Sequence, residues 1–131
     1  MSTRKSASPG QSLVEFAILI PVFILIVVVI FDLGRAVYYY STIYNAAREG
    51  ARNGIITRNT TAMENAAKNY AFGLDFDPAT FSVIATYSPN PEYKVQVTIT
   101  YSFVPVTPLV SQLLPGGKLT LRSQSVMETE E

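Results

Sequence analysis

The residues with the clearest chemical potential lie at the start of an apolar segment, where a single carboxylate, Glu15, follows Gly10 by five residues. The sixteen residues from Phe16 to Phe31 carry no charge. With Leu13 and Val14 the run measures roughly 28 Å as a helix, close to the hydrocarbon thickness of a bilayer. A carboxylate there costs on the order of 3 kcal/mol unless it lies near an edge or is paired. Glu15 is therefore interpreted either as a functional acid with a cationic partner or as an edge residue that reaches the interface.

The composition argues against enzymatic, metal-binding and nucleic-acid-binding classes. The chain has 131 residues, ten basic and ten acidic, with no histidine and no cysteine. Disulfides, thiol catalysis and histidine acid–base chemistry are excluded, and balanced charge does not favour nucleic acid. No nucleophile–base pair or ligand cluster is recognisable. The sequence therefore predicts a protein that is not an enzyme and has no catalytic residue, no metal and no cofactor.

The charges that flank the apolar run predict its orientation. Arg4 and Lys5 precede it, which places the N-terminus in the cytoplasm and the remainder outside, although Arg35 follows the run. A secretory signal is the alternative, with Gly34-Arg35-Ala36 as a weak small-x-small site. The long apolar core without a polar segment after it favours a membrane-spanning helix over 13–31 instead.

Helical spacing continues past this segment, at Val37, Tyr40, Tyr44, Ala47, Ala51 and Ile55. The pattern predicts one helix from about Leu13 to Asn53, with Asn53-Gly54 as its C-terminal stop. Gly50 and Gly54 form a GxxxG pattern, which we interpret as a helix ending rather than a dimer motif. Pro21 removes a hydrogen bond inside the helix and predicts a kink.

The outer part of the helix carries charges and tyrosines. Glu49 and Arg52 stand three residues apart, a spacing that suits a surface ion pair. Together with Arg48 they are interpreted as a solvated face, or alternatively as a candidate subunit contact. Tyr38–Tyr40 are interpreted as an interfacial aromatic belt that also packs.

After the long helix the sequence predicts a small α+β domain. A short helix is predicted over 60–72, ended by Gly73, and a turn over 75–80. Strict alternation over 93–103 predicts the best strand, with weaker strands over 81–87 and 119–126 and loops rich in proline and glycine between them. One face of this antiparallel sheet must be buried, and the amphipathic part of the helix is its natural cover. The fold class is α+β: a long transmembrane and amphipathic helix packed on a small antiparallel sheet, which gives a lollipop outline.

The segment GQSLVEF, with Pro21 inside the apolar helix, resembles the class III signal of type IV pilin-like proteins. Phe16 after the glutamate, followed by RAVYYYSTIYNAAREGAR, resembles more specifically the TadE-like minor pseudopilins of tight-adherence (Flp) pilus systems. The resemblance covers about the first 55 residues, and the remainder only in outline. Major Flp pilins usually carry Glu-Tyr and almost no globular part, so Glu15-Phe16 and the extra domain favour the minor class.

The resemblance implies a processing event and a role for the acid. A membrane-embedded prepilin peptidase would cut between Gly10 and Gln11, removing a leader over 1–10. The new α-amino group at Gln11 would lie about 6 Å along the helix from Glu15, as a cationic partner. Whether it pairs with Glu15 of its own chain or of a neighbour is open. Glu15 and Phe16 are thus implied in assembly and subunit register.

The predicted organisation is a leader over 1–10, a long helix over 11–56 (13–31 transmembrane, 32–56 amphipathic) and an extracytoplasmic domain over 57–131. The implied partners are the prepilin peptidase, other pseudopilins and pilins, the inner-membrane pilus assembly platform and membrane lipid. The implied location is the bacterial inner membrane or a surface pilus, and the implied role is assembly of an adhesion pilus. An unprocessed single-pass anchor that presents a small binding domain is the alternative.

Overall fold

The fold was described from a computed structural model, which covers residues 9–89 and 93–129. It contains three α-helices, a short 3-10 helix and three strands: α1 Pro9–Thr57, α2 Thr60–Tyr70, β1 Phe81–Ser88, β2 Tyr93–Phe103, α3 Pro108–Leu113, the 3-10 helix Pro115–Gly117, and β3 Leu119–Thr129. The predicted α+β class, a long apolar helix packed on a small antiparallel sheet, is confirmed. Arg4 and Lys5, on which the predicted orientation depends, lie outside the described residues.

Helix α1 is a single element of 49 residues, about 73 Å long. It begins at Pro9 rather than near Leu13. Proline has no N–H and a φ suited to the first helical turn, where the N–H groups have no intrahelical partner, so Pro9 is well placed to begin the helix.

The predicted end of α1 at Asn53 is wrong. The helix continues through Gly54 to Thr57, and Arg58 ends it in the left-handed conformation with φ 52°. The Arg58 N–H donates to the Gly54 carbonyl oxygen at 2.8 Å. An arginine takes the left-handed position usually occupied by glycine at such an end, while Gly54 lies inside the helix.

Gly50 and Gly54 are both buried within α1, so the interpretation of this pair as a helix ending is also wrong. A Cβ atom built on Gly50 would stand 3.0 Å from both the Ala67 Cβ atom and the Met63 carbonyl oxygen. The two glycines therefore let α2 and the sheet approach the α1 backbone directly.

Helix α2 is capped at its start by Asn59. The Asn59 side-chain oxygen accepts from the Thr61 and Ala62 N–H groups at 2.9 and 3.2 Å, which satisfies two N–H groups of the first turn. The helix ends at Tyr70, two residues before the predicted end, and Gly73 follows with φ 76°.

The predicted turn over 75–80 is built from two aspartates. Asp75 Oδ1 accepts from the Asp77 N–H at 3.3 Å, and Asp77 Oδ1 accepts from the Ala79 N–H at 2.9 Å. Both are the side-chain-to-backbone bonds that favour aspartate in turns. The structure thus accounts for these acids as turn residues.

The three strands form one antiparallel sheet in the order β1-β2-β3. Tyr101 in the central strand is opposite Phe81 of β1 and Leu121 of β3. The segment with the strictest alternation is therefore the strand that pairs on both sides. Both edge strands run slightly further than predicted, to Ser88 and Thr129.

The core lies between the sheet and the outer half of α1. Strand β2 contributes large side chains to it, and α1 contributes mainly small ones, which let the helix pack closely against the sheet: Val95, Val97, Ile99, Tyr101 and Phe103 from the strand, and Ile43, Ala46, Ala47 and Ala51 from the helix. The predicted cover of the sheet by the amphipathic part of the helix is confirmed.

The segment between β2 and β3, predicted as a loop, is partly helical. Pro108 occupies the first turn of α3, and Thr107 stands at its N-cap with extended backbone angles. The Ser111 N–H donates to the Thr107 carbonyl oxygen at 3.0 Å. Proline favours loops in the interior of a segment, but it is also compatible with the first turn of a helix, where Pro108 lies.

Candidate functional site

Residues 10–26 of α1 form an apolar surface that the rest of the described chain leaves exposed. Every residue from 10 to 26 is exposed, and large side chains such as Leu13 and Phe23 are 72% and 67% exposed. The helix is long and apolar enough to span a membrane. Apolar surface in water is unfavourable by about 25 cal/mol per Å², so this segment needs a bilayer or neighbouring helices around it.

Gln11 and Glu15 lie on the same face of this exposed helix. The Gln11 side-chain amide donates to a Glu15 carboxylate oxygen at 3.3 Å, four residues along the chain. No ion pair within the described ranges 9–89 and 93–129 involves Glu15. The structure therefore brings these two site residues together and leaves the carboxylate accessible to a cation.

The other predicted residues of this segment are exposed as well. Gly10 has no heavy atom within 4 Å of a built Cβ, and Phe16 is 64% exposed. Pro21 lies inside the continuous helix, on its exposed surface. Cleavage at Gly10, the kink at Pro21 and the assembly role of Phe16 stay predictions.

Asp32 joins the apolar helix to the sheet, a role that the sequence analysis missed. It is 4% exposed. Oδ1 accepts from the Val106 N–H at 3.0 Å, and Oδ2 accepts from the Thr107 N–H and hydroxyl at 2.8 and 2.6 Å. One buried carboxylate thus holds the segment that follows β2. The position of a carboxylate directly after an apolar run was the sequence feature that could have indicated this role. The partners could not be predicted from it, because they lie 74 and 75 residues away in the sequence.

Two opposing influences act on the Asp32 carboxyl. Burial by itself raises its pKa, whereas the hydrogen bonds from Thr107 and Val106 and the nearby Arg35 charge lower it. The hydrogen bonds and the charge prevail, so the pKa of Asp32 lies below its ordinary value. The carboxylate is the form that the fold stabilises.

This shift predicts a pH dependence of stability. The folded pKa is lower than the unfolded one, so the contribution of Asp32 is fully present above the ordinary carboxyl value near 3.8. It is lost as the pH falls below that value through the folded pKa. Unfolding of the purified chain between pH 6 and pH 2 should show a loss of stability that is smaller in Asp32→Asn. An equal loss in both proteins would contradict this assignment.

Arg35 and Tyr39 extend the junction along the helix. The Arg35 guanidinium lies 3.5 Å from Asp32 Oδ1 and 5.3 Å from the centre of the Phe103 ring. The Tyr39 ring packs against Tyr101 and Phe103 at 5.3 and 5.7 Å between ring centres. The predicted packing role within Tyr38–Tyr40 is therefore carried by the middle tyrosine.

The charged face of α1 forms a shallow depression, lined by Asn45, Arg48, Glu49, Arg52, Tyr70 and Met127. The predicted ion pair between Glu49 and Arg52 is not formed. The ion pairs in the described part of the chain are Arg35–Asp32 and Lys94–Glu128. Both arginines are exposed, as the spacing suggested. A subunit contact through this face stays a prediction.

Within residues 9–89 and 93–129, no group of three or more acidic, histidine or cysteine side chains could hold a metal ion. The one buried carboxylate named above, Asp32, is occupied by structural hydrogen bonds. The chemistry that the site can perform is therefore pairing and packing: an accessible acid on an exposed apolar helix, and a buried acid that fixes that helix to its domain.

These features define a class of α+β proteins in which one long helix, apolar enough to span a membrane, is fixed at its outer half to a small sheet. The family model described as TadE-like protein matches residues 10–52. This match confirms, for residues 10–52, the predicted resemblance to TadE-like proteins of tight-adherence pilus systems. The match ends within α1, before α2 and the sheet. No curated protein and no solved structure matches the chain.

Proposed function

We propose that the protein is a minor pseudopilin, processed between Gly10 and Gln11 by a prepilin peptidase and used in the assembly of a tight-adherence pilus for surface adhesion. One observation carries the proposal. The family match begins at Gly10, and from there to Ile26 α1 presents an exposed apolar surface with one acid near its start. Such a surface is suited first to lipid and then to neighbouring helices, as assembly requires.

The proposed processing changes the electrostatics around Glu15. Hydrolysis of the bond between the Gly10 carbonyl carbon and the Gln11 nitrogen adds one water and leaves an ammonium group on Gln11. Gln11 already lies within hydrogen-bonding distance of Glu15 through its side chain. In a low-dielectric environment an ammonium group stabilises this carboxylate more strongly than a neutral amide does. An amine from the same chain or from a neighbour would thus neutralise the acid and set the register.

The junction at Asp32 supports a retained helix over a cleaved secretory signal. A cut after Ala36 would remove Asp32 and Arg35 from the protein. The Val106 and Thr107 N–H groups would lose their charged acceptor, and a hydrogen bond to a charged group contributes about 1.5–3 kcal/mol. The fold of the exported domain thus depends on residues on the membrane side of that cut.

The remaining proposals follow from the same helix. The protein would lie in the bacterial inner membrane with its N-terminus in the cytoplasm and its sheet outside, before any entry into a pilus. Its partners would be the peptidase, other pseudopilins and pilins, the assembly platform and lipid. It would act without catalysis, because assembly uses helix packing.

The decisive experiment is the N-terminal sequence and intact mass of the protein from native membranes, with and without the prepilin peptidase. A start at Gln11 that requires the peptidase supports the proposal. An N-terminus that retains Arg4 and Lys5 in both strains would instead indicate an unprocessed anchor presenting a small binding domain. A start at Val37 would indicate a soluble exported domain.

A change at Glu15 should separate processing from assembly. Glu15→Gln is expected to be cut normally but to lose most of its recovery with the other pilus components, because the neutral amide forms no ion pair. Co-purification of pilus components after crosslinking measures this loss. Gln11→Ala is the matched control, since it removes the side-chain hydrogen bond and keeps the α-amino group. Equal recovery of Glu15→Gln and the unchanged protein would rule out the assembly role.

A further inference from the structure

We propose that the segment from Val104 to Gly117, which contains α3, rests in the outer interface of the membrane and contacts lipid directly. We call it the α3 segment. The inference depends on the proposed function only in that α1 spans a membrane. It adds a second membrane contact, made by the exported domain rather than by the helix.

The junction places the α3 segment at membrane depth. Asp32 follows the predicted spanning residues 13–31 directly and binds Val106 and Thr107. Three residues earlier in α1, Val29 lines a small apolar cavity together with Val110 and Leu114 of the α3 segment. Val29 is half-buried, whereas all residues from 10 to 26 are exposed. The α3 segment therefore lies beside the last turn of the spanning helix.

The outward surface of the α3 segment is apolar. No residue from 104 to 117 is charged. Its large exposed side chains are Val104, Val106, Leu109 and Leu113, at 48, 68, 50 and 78% exposure. On α1, Phe31 and Leu33 next to the junction are 69% and 62% exposed. The apolar surface thus continues from the spanning helix onto the domain, which identifies lipid as the occupant.

The backbone of the α3 segment is suited to a poorly hydrated position. Backbone N–H groups that lack partners are costly in a bilayer. Three positions are prolines without an N–H, at 105, 108 and 115. The Val106 and Thr107 N–H groups donate to Asp32, and the Gly117 N–H donates to the Leu114 carbonyl oxygen at 3.0 Å. Shallow insertion of about 5–10 Å is the depth typical of such interfacial elements.

The charge that follows the α3 segment fits the same placement. Lys118 is exposed and begins the return to β3. A lysine at the end of an inserted apolar element can extend to the headgroups, where anionic lipids attract it. The proposed contact therefore combines apolar side chains with one cation at its edge.

The chain contains no tryptophan, so single tryptophans can report on depth. The full chain with Leu113→Trp is reconstituted in phosphatidylcholine–phosphatidylglycerol vesicles with and without lipids that carry a shallow doxyl quencher. Leu113 is 78% exposed, so the larger ring replaces no core contact. Val106→Trp, at a 68% exposed position, provides a second reporter. Both are expected to lose about half of their emission to the quencher, as residues at interfacial depth would.

Two further variants calibrate the measurement. Phe23→Trp reports insertion of α1; because Phe23 lies near the middle of the predicted span 13–31, it is measured with lipids that carry the doxyl group deep in the acyl chain. Ile56→Trp, 77% exposed and about 36 Å along the helix from Asp32, reports a position in water and should not be quenched. If Phe23→Trp is quenched and both reporters in the α3 segment are not, the inference is overturned while the proposed function stands. If Phe23→Trp is not quenched, the helix is not inserted and both fail. Blue-shifted but unquenched emission at Leu113→Trp would assign the surface to a second copy and overturn the lipid contact.

Discussion

Replacing Asp32 with asparagine is expected to lower the free energy of unfolding of the sheet domain by about 3 kcal/mol. The carboxylate accepts three short hydrogen bonds from Val106 and Thr107 and is almost fully buried. Asparagine has one acceptor oxygen where aspartate has two, and its amide group would face donors. At least one buried donor is left unpaired, and the charge that strengthens all three bonds is lost.

Urea unfolding of the purified chain in detergent micelles, followed by circular dichroism, measures this change. Thr107→Val removes only the hydroxyl donor and should cost about 1 kcal/mol. Glu128→Gln is the matched control, because it neutralises an acid whose 3.0 Å ion pair with Lys94 is about half exposed and should cost less than about 1 kcal/mol. Equal stabilities of Asp32→Asn and Glu128→Gln would show that the junction contributes little.

Gly54→Ala is expected to destabilise the domain by about 2 kcal/mol, although alanine is the better helix former. A Cβ at this position would overlap the Met63 sulfur atom and stand 2.5 Å from Val95 Cγ1. The methionine chain can shift, but Val95 lies in the central strand and its β-branched side chain has restricted rotation about χ1. Overpacking between three elements outweighs the gain in helix propensity, which is about 1 kcal/mol.

Gly34→Ala is the control for this change, since Gly34 lies in the same helix with no heavy atom within 4 Å of a built Cβ. It should leave the unfolding free energy unchanged or raise it by up to about 1 kcal/mol. The same urea titration compares the two variants. A Gly54→Ala protein as stable as Gly34→Ala would mean that α2 moves away from α1 without cost.

The features that the sequence predicted well depend on local periodicity. Alternation in β2 follows from one buried and one solvated face, and Tyr93–Phe103 matches the predicted strand at both ends. The apolar run of α1 and the regular spacing of its small residues can likewise be recognised from the sequence alone. The hydrogen bond between the Gln11 and Glu15 side chains was not predicted, although residues four apart share a face of a helix.

The features that were missed depend on contacts between distant parts of the chain. Asn53-Gly54 has the composition of a helix end, and only the position of Met63 and Val95 makes Gly54 a packing residue. The main hydrogen-bond partners of Asp32 are not close to it in the sequence, because its carboxylate oxygens accept from the backbone that follows β2. Single-sequence patterns do not encode such pairings.

The contacts that hold α1 against the sheet domain have a mechanical consequence. A slide of the helix by one residue moves it about 1.5 Å and rotates it by about 100°. Such a step would carry Asp32 away from Val106 and Thr107, and would push a side chain against Met63 and Val95 at the place where Gly54 now lies. A pull along the helix axis would therefore load the Asp32 hydrogen bonds and the close packing at Gly54 together, in shear.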